Sequence, residues 1–152
     1  MDTVSKTRRS AIMASVRSSG NKSTELRFIT FMKSHGIKGW RRRFTMEGKP
    51  DFVFPKSRLA VFIDGCMWHG CPTHCRIPHT NRRYWVSKIE GNRTRDRKVT
   101  RTLRKSGWSV IRVWEHEVSE KVIEKKIKRI EKVLRQSRPP HPETREGGRS
   151  EL

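Results

Sequence analysis

Lys49-Pro50-Asp51-Phe52-Val53-Phe54-Pro55-Lys56-Ser57-Arg58-Leu59-Ala60-Val61-Phe62-Ile63-Asp64-Gly65-Cys66-Met67-Trp68-His69-Gly70 is the stretch on which the fold turns. Pro50 to Phe54 reads as a strand, Pro55 to Arg58 as a turn, and Leu59 to Ile63 as a second strand. The latter is apolar on both faces, as a strand covered on both sides must be. Working back toward the N-terminus, Trp40 to Phe44 reads as a further strand, with a turn at Glu47-Gly48. Before it, a helix capped by Ser23 or Thr24 carries Leu26, Phe28, Ile29, Phe31 and Met32 until Gly36 ends it. Working forward, a loop from Gly65 to about Thr80 leads to Trp85, Ile89, Asn92, Asp96, Val99 and Leu103, whose spacing marks one helix face. Gly107 stops that helix, Trp108 to Trp114 is a strand, and Val122, Ile123, Ile127, Ile130, Val133 and Leu134 stripe a last helix. The predicted order is α-β-β-β-α-β-α, an α/β fold with a mixed sheet flanked by helices.

The 152 residues suit one domain. Residues 1–20 form a basic arm containing Arg8, Arg9 and Arg17, residues 21–136 the folded domain, and residues 137–152 a Pro-, Gly- and charge-rich tail expected to be disordered. Thirty-six Lys and Arg against 15 Asp and Glu leave a formal charge of +21. A compact chain with that excess repels itself, and nucleic acid is the commonest polyanion to offset it. No run reaches the roughly 20 apolar residues of a membrane span, and the start lacks a signal-peptide apolar region. A cytoplasmic protein without membrane contact is expected.

Asp51 opens a hydrophobic strand, where a charged carboxylate is costly unless something positive faces it. Either it is an idle turn residue, or it holds a hard divalent cation such as Mg²⁺. Asp51 and Ile63, on adjacent strands, can bring a carboxylate and a main-chain carbonyl to one ion. His69, in the loop leaving the central strand with Asp64 nearby, has a pKa range suited to activating water or protonating a leaving oxygen. Cys71, His74, Asp96 and His116 are the expected zinc ligands, tying loop, helix and strand together, with Cys75 competing with His74. Met67 and Trp68 in their Gly-flanked loop are candidates to wedge between base steps; Trp85 is either core or a third wedge.

These segments together resemble the very-short-patch repair (Vsr) endonucleases. The resemblance is carried by Arg9-Ser10 with Met13, Glu25-Leu26-Arg27, Lys49 to Val53, Asp64 to Pro72, Tyr84-Trp85 with Lys88-Ile89 and Asn92, Arg95-Asp96, Gly107-Trp108, and Arg112 to Glu115. It implies a restriction-endonuclease-like core and a strand-specific DNA nickase. The implied cut is 5′ to the thymine of T:G mismatches that arise when 5-methylcytosine deaminates. It further implies Mg²⁺ at Asp51 and the Ile63 carbonyl, His69 as general base or its assistant, Glu25 orienting water or metal, a structural zinc, and intercalation by Met67, Trp68 and Trp85. A cytosine-5 DNA methyltransferase and mismatch repair proteins are the implied companions of a monomer. Three positions depart from the family pattern. Met67 stands where an aromatic is common, His116 where Cys is expected, and Asp64 where some members have His, which leaves Asp64 to aid metal binding instead. Two rival readings remain: a restriction-type or anti-phage nicking nuclease of the same fold with another target, and a zinc-containing DNA-binding protein without catalysis.

Overall fold

The computed structural model describes residues 7–8 and 22–137. Of the predicted arm only Thr7 and Arg8 are described, both helical; Arg9 and Arg17 lie outside the described residues, as do residues 138–152 of the tail.

Helix α1 spans Lys22–Ser34. It buries Thr24, Glu25, Phe28 and Met32, which recur at helical spacing, while Leu26 points outward. Ser23 and Thr24 therefore lie inside the helix rather than capping it. Its end is a Schellman turn: Gly36 sits at φ +67, Ile37 N–H donates to the Met32 carbonyl and Gly36 N–H to the Lys33 carbonyl.

Three strands follow: β1 (Phe52–Phe54), β2 (Leu59–Asp64) and β3 (Ser109–Trp114). They line up in the order β1-β2-β3, with β1 antiparallel and β3 parallel to β2. The parallel pair is joined through α2 (Arg82–Lys105), which runs unbroken through Gly91. Helix α3 (Ile123–Gln136) completes the described chain. The sheet is mixed and flanked by helices, but the strand predicted at Trp40 to Phe44 does not form. Only Arg41 bridges to Val53, and Arg43 takes a positive φ of 52 that no extended strand tolerates.

Alternation along β2 sorts its side chains between two cores. Leu59 and Val61 face Phe28 and Met32 of α1 and Ile123, Ile127 and Ile130 of α3. Ala60 and Phe62 face Val99 and Leu103 of α2, together with Val110 of β3. Burying a side chain of this size contributes about 1.5–3 kcal/mol, so helices on both sides hold the sheet. The same alternation puts Asp64, two residues beyond Phe62, on the α2 side at the C-terminal end of the central strand. Arg112, two beyond Val110 on β3, falls on that side as well.

Candidate active site and metal centre

Asp51 precedes β1 by one residue and is already tied to the sheet: its N–H donates to the Val61 carbonyl. Its Oδ2 accepts from the Ile63 N–H at 2.7 Å. That bond fixes the carboxylate beside Ile63 at the end of β2. Burial, outweighing the Ile63 hydrogen bond and reinforced by Glu25 and Asp64, pushes the Asp51 carboxyl up to about 7. Glu25 comes from the first turn of α1, is buried, and forms an ion pair with Arg42. Arg42 lies in the stretch that the sequence reads as a strand, and its charge was not singled out there.

His69 is held from two sides. Its Nδ1 lies 2.6 Å from Asp96 Oδ2 and 3.7 Å from Asp64 Oδ1. A ring nitrogen committed to Asp96 leaves Nε2, on the opposite edge, for proton exchange with a substrate or water. Burial lowers the His69 pKa, but the Asp96 hydrogen bond and the charges of Asp64 and Asp96 outweigh it and the net shift is upward. At Asp96 burial works upward and is overcome by the His69 bond and by the His69, Arg112 and Arg95 charges, so its carboxyl is held below the ordinary range.

Arg112 closes the group. Its Nη1 donates to both oxygens of Asp64, at 2.9 and 3.0 Å, and lies 3.7 Å from Asp96 Oδ1. Thr100 Oγ1 accepts from its Nε at 3.0 Å, and the guanidinium carbon sits 4.3 Å from the centre of the Phe62 ring. A charge-assisted arginine–carboxylate contact is among the stronger hydrogen bonds. Burial still outweighs Arg112 and leaves the Asp64 carboxyl raised. Both oxygens of Asp64 accept from Arg112, and the carboxylate stands between Arg112 and His69. The spacing of Arg112 against Val110 was the available signal for its inward placement.

The zinc expectation also changes. Cys66, Cys71 and His116 bring their ligand atoms within 4.8 Å of one another, the one such group among the described residues. Cys66 Sγ lies 3.1 Å and Cys71 Sγ 3.7 Å from His116 Nδ1. Two thiols and an imidazole are a donor set that suits zinc, which accepts four. Asp96 is not with them: its carboxylate is on His69. His74 stacks on His116 at 4.0 Å between ring centroids, with its Nδ1 2.7 Å from Thr73 Oγ1; Cys75 points its thiol at the Met67 carbonyl. Cys66 went unassigned in the sequence although it lies five residues before Cys71. The link is local, since Cys71 N–H donates to the Cys66 carbonyl. Burial pushes the Cys66 thiol up to about 11, whereas hydrogen bonds from Thr73 and His74 overcome burial at Cys71 and lower it to about 7.

The loop between these two groups is tightly braced. Asn92 donates to the Trp68 carbonyl at 2.8 Å and Cys66 N–H to Glu115 at 3.0 Å. Gly70 has φ +65, and a Cβ there would come within 2.8 Å of Arg93 and 3.0 Å of Ile89, so only glycine fits. Of the wedge candidates, Met67 and Trp68 are half-buried, while Trp85 is buried and packs edge-on against both Trp68 and Tyr84.

Residues 1–76 match the family described as DNA mismatch endonuclease Vsr. A type II nicking enzyme of Neisseria meningitidis serogroup C is 38% identical over 120 residues, 78% of this chain and 80% of that protein. A nicking enzyme of Lentzea aerocolonigenes is 56% identical over 69 residues, which span 45% of this chain but only 42% of that protein. The DNA mismatch endonuclease Vsr of Escherichia coli is 34% identical over 94 residues, 60% of this chain and 59% of its own length.

Proposed function

The chain belongs to the Vsr DNA mismatch endonuclease family, and from that premise we propose that it is a Mg²⁺-dependent nickase cutting one strand of duplex DNA 5′ to the thymine of a T:G mismatch. The observation that carries the reading is that the Asp51 carboxylate, fixed beside Ile63, and the His69–Asp96 pair lie toward the C-terminal end of β2, with Asp64 within electrostatic range of both. Loops over the end of a parallel strand pair are where such sheets place their chemistry.

Phosphodiester hydrolysis needs a water in line with the departing oxygen, relief of charge on the phosphate, and a route for protons. His69, with Nδ1 fixed by Asp96, takes the proton from the attacking water at Nε2 or passes one to the departing oxygen. Asp96 keeps the ring oriented and steadies its positive form. Asp51, Glu25 and the Ile63 carbonyl are the oxygen donors that would hold Mg²⁺. The fit is supported by the chemistry of that set, hard carboxylate oxygens, and by Asp51 itself, a buried carboxyl that burial and the neighbouring Glu25 and Asp64 push upward. Bound there, Mg²⁺ supplies charge relief at the phosphate and polarises water. Cys66, Cys71 and His116 would hold a structural zinc, with His74 or Cys75 adjacent for the fourth position. Such an ion would brace the loop that carries Met67, Trp68 and His69.

Mismatch selection falls to Met67 and Trp68. A T:G pair stacks less well than a matched one, and inserting apolar side chains beside it costs less there. Trp85, packed against Trp68, supports the wedge from beneath. Arg8, Arg9 and Arg17 are proposed to contact the duplex backbone. A cytosine-5 methyltransferase is the natural companion of such an activity, in the cytoplasm.

A second reading is favoured by the names of several relatives, which are type II nicking enzymes: a nickase of the same build acting on another DNA feature. The deciding experiment is strand-resolved nicking of T:G, matched and methylated duplexes, with and without Mg²⁺. Cutting confined to the T:G duplex supports the mismatch reading; equal cutting of all three overturns it in favour of the second.

A further inference from the structure

Between Asp96 of α2 and Lys105 near its end, the surface holds a groove of about 720 Å³ lined by Asp96, Arg97, Thr100, Arg101, Arg104, Lys105 and Arg112. From Arg97 to Trp114 the sequence contains six Lys and Arg and no Asp or Glu. Arg97, Arg101, Arg104 and Lys105 recur at steps of four, three and one, which gathers them on one stripe of the helix. Arg112 is neutralised by Asp64 and Asp96, but the other four are not. Arg97 reaches only the Thr94 hydroxyl, at 3.4 Å, and among the described residues no side-chain hydrogen bond or ion pair engages Arg101, Arg104 or Lys105. Three surface cations do carry an acid partner, for Glu90 pairs with Arg93, Glu117 with Lys126 and Glu131 with Arg135. Like charges at i,i+4 destabilise a helix. What sets this stripe apart from other unpaired cations is that it lines a groove whose wall includes Asp96 and Arg112.

The groove's inner wall identifies its occupant. Asp96 and Arg112 belong both to this wall and to the group around His69, so whatever lies in the groove runs on into the active site. The nine steps from Asp96 to Lys105 cover about 13.5 Å at 1.5 Å each. One strand of a duplex advances about 3.4 Å per nucleotide along the axis, so that length corresponds to roughly four nucleotides. We propose that this groove is a backbone-phosphate track for the DNA strand flanking the cleavage site, engaging phosphates up to about four nucleotides away without reading their bases. The proposal rests on the nickase reading for the identity of the scissile centre. Its chemistry is that of a polyanionic backbone met by guanidinium and ammonium groups.

The test is the double variant Arg101→Gln/Arg104→Gln, which removes two charges while keeping good helix formers. The control is Lys128→Gln/Arg129→Gln, the same charge change on exposed residues of α3. Duplex affinity is measured for T:G and matched DNA over a range of salt, and the single-turnover nicking rate at saturating enzyme. The groove variant should lower the slope of log affinity against log salt by about two, weaken both duplexes alike by on the order of tenfold, and leave the saturated nicking rate unchanged. Trimming the duplex to within four nucleotides of the cut on the groove side should weaken the unmodified protein and not the variant. An unaltered salt slope, an equal change in the α3 control, or equal sensitivity of protein and variant to trimming on either side overturns the track. If no duplex is nicked at all while the slope still falls in the groove variant alone, the nickase reading fails and the track stands. Nicking with an unchanged slope has the opposite meaning.

Discussion

Replacing Asp51 by Asn in metal-free protein should raise its stability at alkaline pH and leave it nearly unchanged at acidic pH. Burial, with Glu25 and Asp64 nearby, lifts the folded carboxyl from 3.8 to about 7. The folded protein therefore retains a proton that the unfolded chain releases, and between those two values stability falls as pH rises. Below pH 4 the group is protonated in both states and costs nothing. Above pH 7 the full penalty applies: the interval of about three pH units, at about 1.4 kcal/mol each, amounts to about 4 kcal/mol. Asn carries no charge but keeps an oxygen to accept the Ile63 N–H, so the substitution removes the penalty without removing the bond. For a chain of this size that is a rise in Tm on the order of 10 °C. The assay is thermal unfolding of both proteins in chelator at pH 4.5 and pH 8, followed by Mg²⁺ titration at pH 8. Mg²⁺ should stabilise the unsubstituted protein, because a ligand of the folded state adds RT ln(1 + [L]/Kd), and should do little for the variant. An equal Tm difference at both pH values, or a variant less stable at pH 8, refutes the account of Asp51 as an uncompensated buried acid.

Asp96→Asn should lower the single-turnover nicking rate at saturating enzyme by 10²-fold or more, since it disturbs the orientation and proton affinity of His69; a rate within threefold of the unsubstituted enzyme contradicts the pairing. Trp68→Ala should narrow the ratio of T:G to matched-duplex cutting more than it weakens general affinity, measured by competition between the two duplexes, and an unchanged ratio removes Trp68 as a wedge. Cys66→Ser should reduce bound zinc below one per chain and lower Tm, whereas Asp96→Asn should keep its zinc; metal analysis of the two variants side by side separates the Cys66–Cys71–His116 cluster from the ligand set expected from the sequence.

What could be read from the residues, and what could not, follows from the range of the interactions concerned. The paired strands around Pro55 to Arg58 are local and periodic, and their alternation survives into the structure as the division of Leu59 and Val61 from Ala60 and Phe62. The stripe from Trp85 to Leu103 is legible for the same reason: one face of a long helix must be buried, and Gly91 sits on the opposite, open side. Trp40 to Phe44 has strand-like composition, but Arg42 is drawn to Glu25 seventeen residues away, and Arg43 turns the chain through a positive φ. No local propensity records that pull. A bridge at Arg41 is all that remains of the expected strand.

Asp96 shows the same limit at the site. Its place on an apolar helix face marks it as inward-pointing and in need of a cationic neighbour, and that much is local information. Which cation it meets depends on where β3 delivers Arg112 and how the Gly65–Gly70 loop returns His69 to α2, both decided by sheet register. Register also explains Asp64. Residue 64 of the central strand and residue 112 of its parallel neighbour lie on the same side of the sheet, so an acid at the first position and an arginine at the second form one unit. The departure from His at position 64 that the family resemblance brings out is thus accompanied by a guanidinium that pairs with the replacing carboxylate. Without Arg112, Asp64 would be one more buried negative charge near Asp51, Asp96 and His69; with it, the acid is matched by a guanidinium and stands 3.7 Å from the His69 nitrogen that Asp96 holds.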